Sequence, residues 1–337
     1  MFEHLNHQIG NAEAIPINKD TGLAIMYNPT SDTAYEHAKA LREYANYIWP
    51  QKDGKLRIVY LESGPTVEAN MEILQALEAE GDFHYSIHGG DGTYHNVLLA
   101  AHQIEAKGVF VTAADGNACD LASSLHTKIF KRSPIEALIF GKTGKIHPID
   151  ISIETLAGEN QHYQAISYAG VGFSGLVAYA INDPSHRKKV AGLNRLDRFS
   201  EEFKLVWNLS KQAQPFEASV YGDRPHPIIE FDYIGIDHMA KLPFGSSSNV
   251  LSRQAMIGEL KSSNPKDLIT GVGKAALGLS KVNPEIPTAI TVCYENQDLF
   301  LMHIDGDYIF VPNGSTVSFQ KSPYAEANVA YTKPLPR

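Results

Sequence analysis

At 337 residues, with 43% hydrophobic and 20% charged residues, the chain is long enough for two cores and has an ordinary globular composition. A formal net charge of −9 argues against a nucleic-acid binder, and two distant cysteines, Cys119 and Cys293, exclude a disulfide framework or zinc ribbon and fit a reducing cytoplasm. The start of the chain lacks the basic and apolar regions of a signal peptide, and no apolar run reaches the roughly 18 residues of a membrane span.

Residues 1–20 are polar and mixed and read as an N-terminal extension. Leu23–Tyr27 is a short buried-strand pattern that ends at Asn28-Pro29-Thr30-Ser31. Thr33 and Glu36 have capping-box spacing, and Ala34, Ala38, Leu41, Ala45 and Ile48 form one helix face. Leu56–Leu61 predicts a second strand, and Gly64-Pro65-Thr66 leads into a helix facing inward through Val67, Met71, Leu74 and Leu77. Phe83, Tyr85 and Ile87 alternate with His84, Ser86 and His88, the period of a third strand. After Gly89-Gly90-Asp91-Gly92-Thr93, apolar residues recur at helical spacing through Val97, Leu98, Ala101 and Ile104, and Val109–Val111 predicts a fourth strand. This alternation predicts a parallel sheet with helices on its faces, whose ligands bind at the carboxyl ends of the strands. The turns at 28–31, 64–66, 89–93 and 114–120 would share that edge.

Asp120-Leu121-Ala122 opens a short helix, and Ser133-Pro134 is a cap and first-turn pair for the next. From about residue 146 strands dominate, beginning with a hairpin over Ile149–Ala169 and ending with Leu299–Ile304, Tyr308–Pro312 and Thr316–Gln320. The expected organisation is an α/β domain over 21–145, a β-rich antiparallel domain over 146–322, and a C-terminal tail over 323–337.

The glycine-rich turn carries the chemistry. Residues without a Cβ let the backbone approach a ligand closely, and a helix that starts there points free N–H groups at it, which suits a phosphate. Asp91 adds a carboxylate for a metal or an attacking hydroxyl. Alone, the motif reads equally well as a tight turn whose Asp caps a helix. Asp120 and Asp150 likewise read as a helix cap and a strand end, and Asp305-Gly306-Asp307 as a hairpin turn. The 14 histidines include no helical H-x-x-x-H pair, so hydrogen-bonded histidines outweigh a transition-metal site, although His88 and His95 flank the glycine turn. The basic run His186-Arg187-Lys188-Lys189 precedes an apolar stripe of Leu196, Phe199, Phe203 and Val206 and reads either as a solvated loop or as a peripheral membrane contact.

Taken in order, these motifs resemble the diacylglycerol kinase catalytic family, which includes bacterial lipid kinases and the sphingosine and ceramide kinases and is distantly similar to NAD kinases. Asn28-Pro29-Thr30-Ser31 is similar to the family's N-P-x-S-G, and Gly89–Thr93 to its G-G-D-G-T. Gly116–Ala122 falls at its G-T-x-N-D-x-A, Asp150 at the Asp after its next strand, Gly170–Phe173 at G-x-G-F, and Asp305-Gly306-Asp307 at a late D-G-E. The departures are Asp32 for glycine, Asn117 and Cys119 for Thr and Asn, His95-Asn96 for Asn-Glu, Ser174 for a frequent Asp, and Asp307 for Glu.

The resemblance implies an NAD kinase-like parallel-sheet nucleotide domain, a C-terminal antiparallel β-sandwich, an active site between them and a tail, 323–337, that packs back on the first domain. It also implies ATP and Mg²⁺, with the γ-phosphoryl group passing to the hydroxyl of diacylglycerol or a related long-chain alcohol. The expected roles are Asp91 and Asp307 as base or metal ligand, Asp120, Asp150 and Asp305 around the metal, and Asn28, Gly89, Gly90, Gly92, Thr93, Gly116 and Asn117 around the nucleotide. The late D-G-D and the full motif order fit lipid kinases better than NAD kinases. A kinase of a soluble hydroxyl compound and a nucleotide-binding relative without turnover are the alternatives. The expected setting is a cytoplasmic protein, peripheral at the membrane if the basic run meets lipid, with no nucleic-acid partner and with homodimerisation open.

Overall fold

The computed structural model describes residues 14–18, 20–49, 57–116, 119–190, 192–193, 195–220, 224–236, 238–239, 242–243, 250–251, 253, 255–260, 280–282, 287–295 and 297–333. The readings at residues 1–13, Leu56 and Asn117 lie outside the described residues. Two regions are built from different periodicities.

The first holds β1 (Gly22–Tyr27), β2 (Ile58–Glu62), β3 (Phe83–Gly89), β4 (Val109–Ala114) and β5 (Lys142–Lys145). Between them run α1 (Asp32–Ile48), α2 (Val67–Glu80), α3 (Asp91–Gln103), α4 (Asp120–Leu125) and α5 (Pro134–Phe140). β1, β2, β3 and β4 pair in parallel. β1 and β3 are buried along their whole length because helices cover both faces. Leu23, Ile25 and Tyr27 face a core with Ala38, Leu41 and Ala45 of α1, whereas Ala24 and Met26 face a second core with α2 and α3.

Helix starts follow side-chain acceptors. Ser31, not Thr33, caps α1, because its backbone is extended and its Oγ accepts from Ala34 N–H at 3.2 Å. Thr66 caps α2 through Ala69 N–H at 3.3 Å. Ser133 makes no side-chain capping bond, and Pro134 opens α5 by its fixed φ.

The second region carries β6 (Ile149–Glu154), β7 (Asn160–Ala165), β8 (Tyr168–Gly172), β9 (Phe216–Val220), β10 (His226–Ile228) and β11 (Glu230–Ile234). It continues with β12 (His238–Met239), β13 (Leu242–Pro243), β14 (Ala255–Leu260), β15 (Ser280–Val282), β16 (Thr288–Cys293), β17 (Leu299–Ile304), β18 (Asp307–Pro312) and β19 (Thr316–Lys321). Helices α6 (Phe173–Asn182), α7 (Pro184–Val190) and α8 (Arg195–Ser210) follow β8. Two antiparallel six-stranded sheets result, in the orders β10-β9-β16-β19-β6-β7 and β15-β14-β11-β8-β17-β18. Ile149, Ile151, Ile153, Val317 and Phe319 of one sheet share a core with Val171, Phe231, Tyr233 and Met302 of the other, which makes the pair a sandwich. Each fully buried Ile, Val or Phe there contributes about 1.5–3 kcal/mol of burial free energy.

The regions are joined twice. The last strand, β20 (Asn328–Tyr331), returns to the first sheet and inserts between β4 and β5, parallel to one and antiparallel to the other. Tyr168, Ile234 and Ile236 of the second region pack into the first region's core. No helix among the described residues is long and apolar enough to cross a membrane.

Candidate active site

The glycine turn is tighter than its sequence suggests. β3 runs through Gly89 and α3 begins at Asp91, so Gly90 alone connects them. A Cβ on Gly89 would lie 2.5 Å from Thr93 Oγ1, and one on Gly116 would lie 2.4 Å from the Cα of Gly90. Two strand-end turns therefore touch backbone to backbone, which only glycine permits. Thr93 Oγ1 accepts from Asn28 Nδ2 at 3.1 Å, tying the 28–31 turn into the same edge. Gly92 differs, since a Cβ there meets nothing within 4 Å. The open space faces the first turn of α3, whose N–H groups lack helical acceptors.

Three acids of the predicted site come together, in two opposite states. Asp91 Oδ1 accepts from Leu121 N–H at 3.3 Å, so this carboxylate bonds the start of α4 rather than capping its own helix. Burial, then the charge of Asp120, push the Asp91 pKa up to about 7. Asp120 is fully buried and accepts from the Tyr168 hydroxyl at 3.3 Å. Asp305 stands at the tip of the β17–β18 hairpin with φ 49°, followed by Gly306 at φ 91°, a two-residue turn with both φ positive.

Asp305 accepts from the N–H groups of Ile166 (2.5 Å), Ser167 (2.8 Å) and Tyr168 (3.0 Å) and from His95 Nδ1 (2.7 Å). Burial opposes its ionisation, but His95 and the backbone donors outweigh it and hold the pKa below the ordinary value. Four donors use the acceptor positions of the Asp305 carboxylate, so its expected place around the metal is not that of a direct ligand. The acidic pair Asp91 and Asp120 does fit a divalent ion: hard cations take carboxylate oxygens, and an ion there offsets the repulsion that raises Asp91.

Asp150 and Asp307 line a cavity of about 750 Å³ between the two regions, together with Glu68, His95, Gln164 and Gln320. Asp150 Oδ1 accepts from Gln164 Nε2 at 2.8 Å. His95 connects the cavity to the buried acids, because it spends Nδ1 on Asp305 and leaves Nε2 for a ligand. Burial alone would lower its pKa, but the hydrogen bond and charge of Asp305, with Asp307 adding, hold it above 6.5. The sequence marks His95 as a flank of the glycine turn and as a departure from a motif, but not its pairing with Asp305, which lies 210 residues away with no local signal linking them.

His88, on the other flank of the glycine turn, is held inside the fold. It is buried, with Nδ1 2.5 Å from Asp115 and Nε2 3.1 Å from Ser86 Oγ. His37 approaches the other Asp115 oxygen at 2.5 Å. These residues line a second cavity, about 610 Å³, whose wall carries Lys128, Lys131 and Arg132. Cys119, a departure within the second motif, is buried in αL conformation, and burial pushes its thiol up to about 12. It packs against Tyr94 and accepts from Gly116 N–H at 3.0 Å.

No family model matches the chain, and no curated protein matches it in sequence. In fold it is similar to a Bacillus anthracis diacylglycerol kinase structure, at TM-score 0.58 and 12% identity over 92% of this chain and 96% of that one. A second Bacillus anthracis structure, provisionally described as a diacylglycerol kinase, superposes at TM-score 0.60 and 12% identity over 93% of this chain and 98% of that one. Yeast NADH kinase complexed with NADH follows at TM-score 0.51 and 9% identity, over 93% of this chain and 84% of that one. The chain thus has the two-part fold shared by diacylglycerol kinases and NAD kinases, with a parallel α/β domain and an antiparallel sandwich.

Proposed function

We propose that the protein is a kinase that passes the γ-phosphoryl group of ATP, with Mg²⁺, to the hydroxyl of a lipid. The observation that supports this reading is the interdomain cavity lined by His95, Asp150 and Asp307, with His95 bonded to Asp305 and with Asp305 and Asp120 close enough for their charges to act on Asp91 of the glycine turn. Phosphoryl transfer asks a protein chiefly for positioning and for neutralisation of charge. The strand-end turns at Asn28, Gly90, Gly92 and Gly116 orient the phosphates, and the basic wall of the second cavity attracts the nucleotide's charge. Asp91 and Asp120 would hold Mg²⁺, which neutralises phosphate oxygens when bound. In the cavity, His95 Nε2 takes the acceptor's proton, and Asp305 keeps the ring in the tautomer that makes Nε2 the base.

The lipid acceptor is supported by the outer side of the sandwich. Tyr179, Leu299 and Phe310 are between 41% and 54% exposed beside a cavity of about 310 Å³ lined by Phe173, Leu176 and Leu301. Arg187, Lys188 and Lys189 lie on the next helix, α7, and suit anionic headgroups.

The test is ATP-dependent phosphate transfer with Mg²⁺ to mixed vesicles carrying diacylglycerol, monoacylglycerol, ceramide and sphingosine, with the Asp91→Asn protein alongside. A labelled lipid that disappears with Asp91→Asn is the expected result. ATP binding without any labelled lipid would overturn the lipid acceptor and shift the weight to a soluble alcohol or to a binder without turnover.

A further inference from the structure

A second constellation lies on the sandwich, apart from the cleft. β8 runs between β11 and β17, and Gly170 is paired with Asp232 on one side and with His303 on the other. A Cβ at Gly170 would stand 2.3 Å from Asp232 Oδ1 and 2.8 Å from His303 Cε1, so these two side chains meet over the glycine. Glu230 is two residues before Asp232 and therefore on the same face of β11. Ser174, at the start of α6, completes the group: its N–H donates to Glu230 Oε2 at 2.7 Å, and its hydroxyl bonds both Glu230 Oε1 and His303 Nδ1.

This arrangement leaves two atoms without partners. His303 is 2% exposed, yet its Nε2 makes no hydrogen bond, and neither does Asp232 Oδ1. They face each other at 3.6 Å, too far for a hydrogen bond. The relay from His303 Nδ1–H to the Ser174 oxygen, and from the Ser174 hydroxyl to Glu230, makes Nε2 the bare nitrogen. Two lone pairs then oppose each other in a buried place, an arrangement that a cation between them would relieve. Two ligands about 2.0–2.2 Å from one tetrahedral ion are about 3.3–3.6 Å apart, the separation seen here.

We propose that Glu230, Asp232 and His303 bind one divalent transition-metal ion of the Zn²⁺ class, with Ser174 orienting the imidazole and one carboxylate. One ligand atom from each of the three lies within 4.8 Å of the others. Two carboxylates and a neutral imidazole balance a double positive charge, and the imidazole selects a transition ion over Mg²⁺. A hydrogen-bonded second nitrogen is the usual support of a metal-bound histidine.

The experiment uses full-length, tag-free protein stripped with a chelator and titrated with ZnCl₂ in a calorimeter, with Asp232→Asn and His303→Gln as variants. One ion per chain is expected, with affinity lowered about 100-fold in either variant. X-ray absorption at the zinc edge of the wild type, loaded with one equivalent, should show a single imidazole and oxygen ligands, a result independent of whether the variants fold. Absence of stoichiometric binding, unchanged affinity in folded variants, or a zinc shell containing sulfur or several imidazoles overturns the site.

Discussion

Asp91 and Asp305 are each followed by glycine, and each helps shape the same cleft, yet the fold places them in opposite states. Asp91 comes from the α/β domain and is held close to Asp120 with few donors, so it resists ionisation. Asp305 comes from the sandwich and is surrounded by three backbone N–H groups and an imidazole, so it ionises readily. An acid short of donors invites a cation, whereas a saturated one acts as a fixed anchor for its neighbours. Under the proposed function, the contrast would put metal binding in the first domain and positioning of the base in the second.

Breaking the anchor has the largest expected effect. Asp305→Ala leaves three buried N–H groups and His95 without their acceptor and should cost about 3–5 kcal/mol, read from denaturant midpoints. Because the folded pKa of Asp305 is depressed, its stabilisation is present above the ordinary carboxylate value and is lost as pH falls below it. The wild type should therefore lose stability more steeply than the variant on acidification below about pH 4.

Asp91 should respond with the opposite sign. Its folded pKa is raised to about 7, so ionisation costs stability as pH rises from the unfolded value near 3.8 toward 7. Asp91→Asn should be more stable than the wild type at pH 8 by about 2–4 kcal/mol, with the gain fading toward pH 4, while phosphoryl transfer disappears. A variant destabilised at pH 8 would contradict the donor-poor description.

The link between the two acids is sharpened at His95. His95→Gln should keep the fold and lower kcat by about 10²–10⁴-fold. In the wild type, kcat/KM should fall as the pH drops through the His95 pKa, which lies above 6.5, and Asp305→Asn should move that limb to lower pH. NMR titration of the ring checks the assignment without activity.

The smallest structural effect separates two glycines of one edge. Gly92→Ala points into open space within α3 and should change stability by no more than about 1 kcal/mol, while weakening ATP binding in calorimetry. Gly116→Ala, against the Gly90 backbone, should instead reduce stability.

Much of the architecture was legible along the chain. Alternation of strand and helix patterns, unbroken apolar runs at β1 and period-2 burial in β6 are local signatures of what each segment must cover. Asn28, Gly90 and Gly116 could be expected on one edge because parallel strands put their carboxyl ends together. Capping was less legible: Ser31 took the role that spacing gave to Thr33, since either hydroxyl is chemically able and the backbone decides.

The sequence by itself determined the class of fold and the strand-end motifs, because hydrophobic period and glycine turns act over a few residues. Tertiary structure decided which aspartate is starved and which is saturated, paired His95 with Asp305, brought Asp232 and His303 together over Gly170, and drew β20 into the first sheet. The reason is physical: a carboxylate or imidazole takes its chemistry from the donors and charges around it, and here those come from segments 30 to 210 residues away.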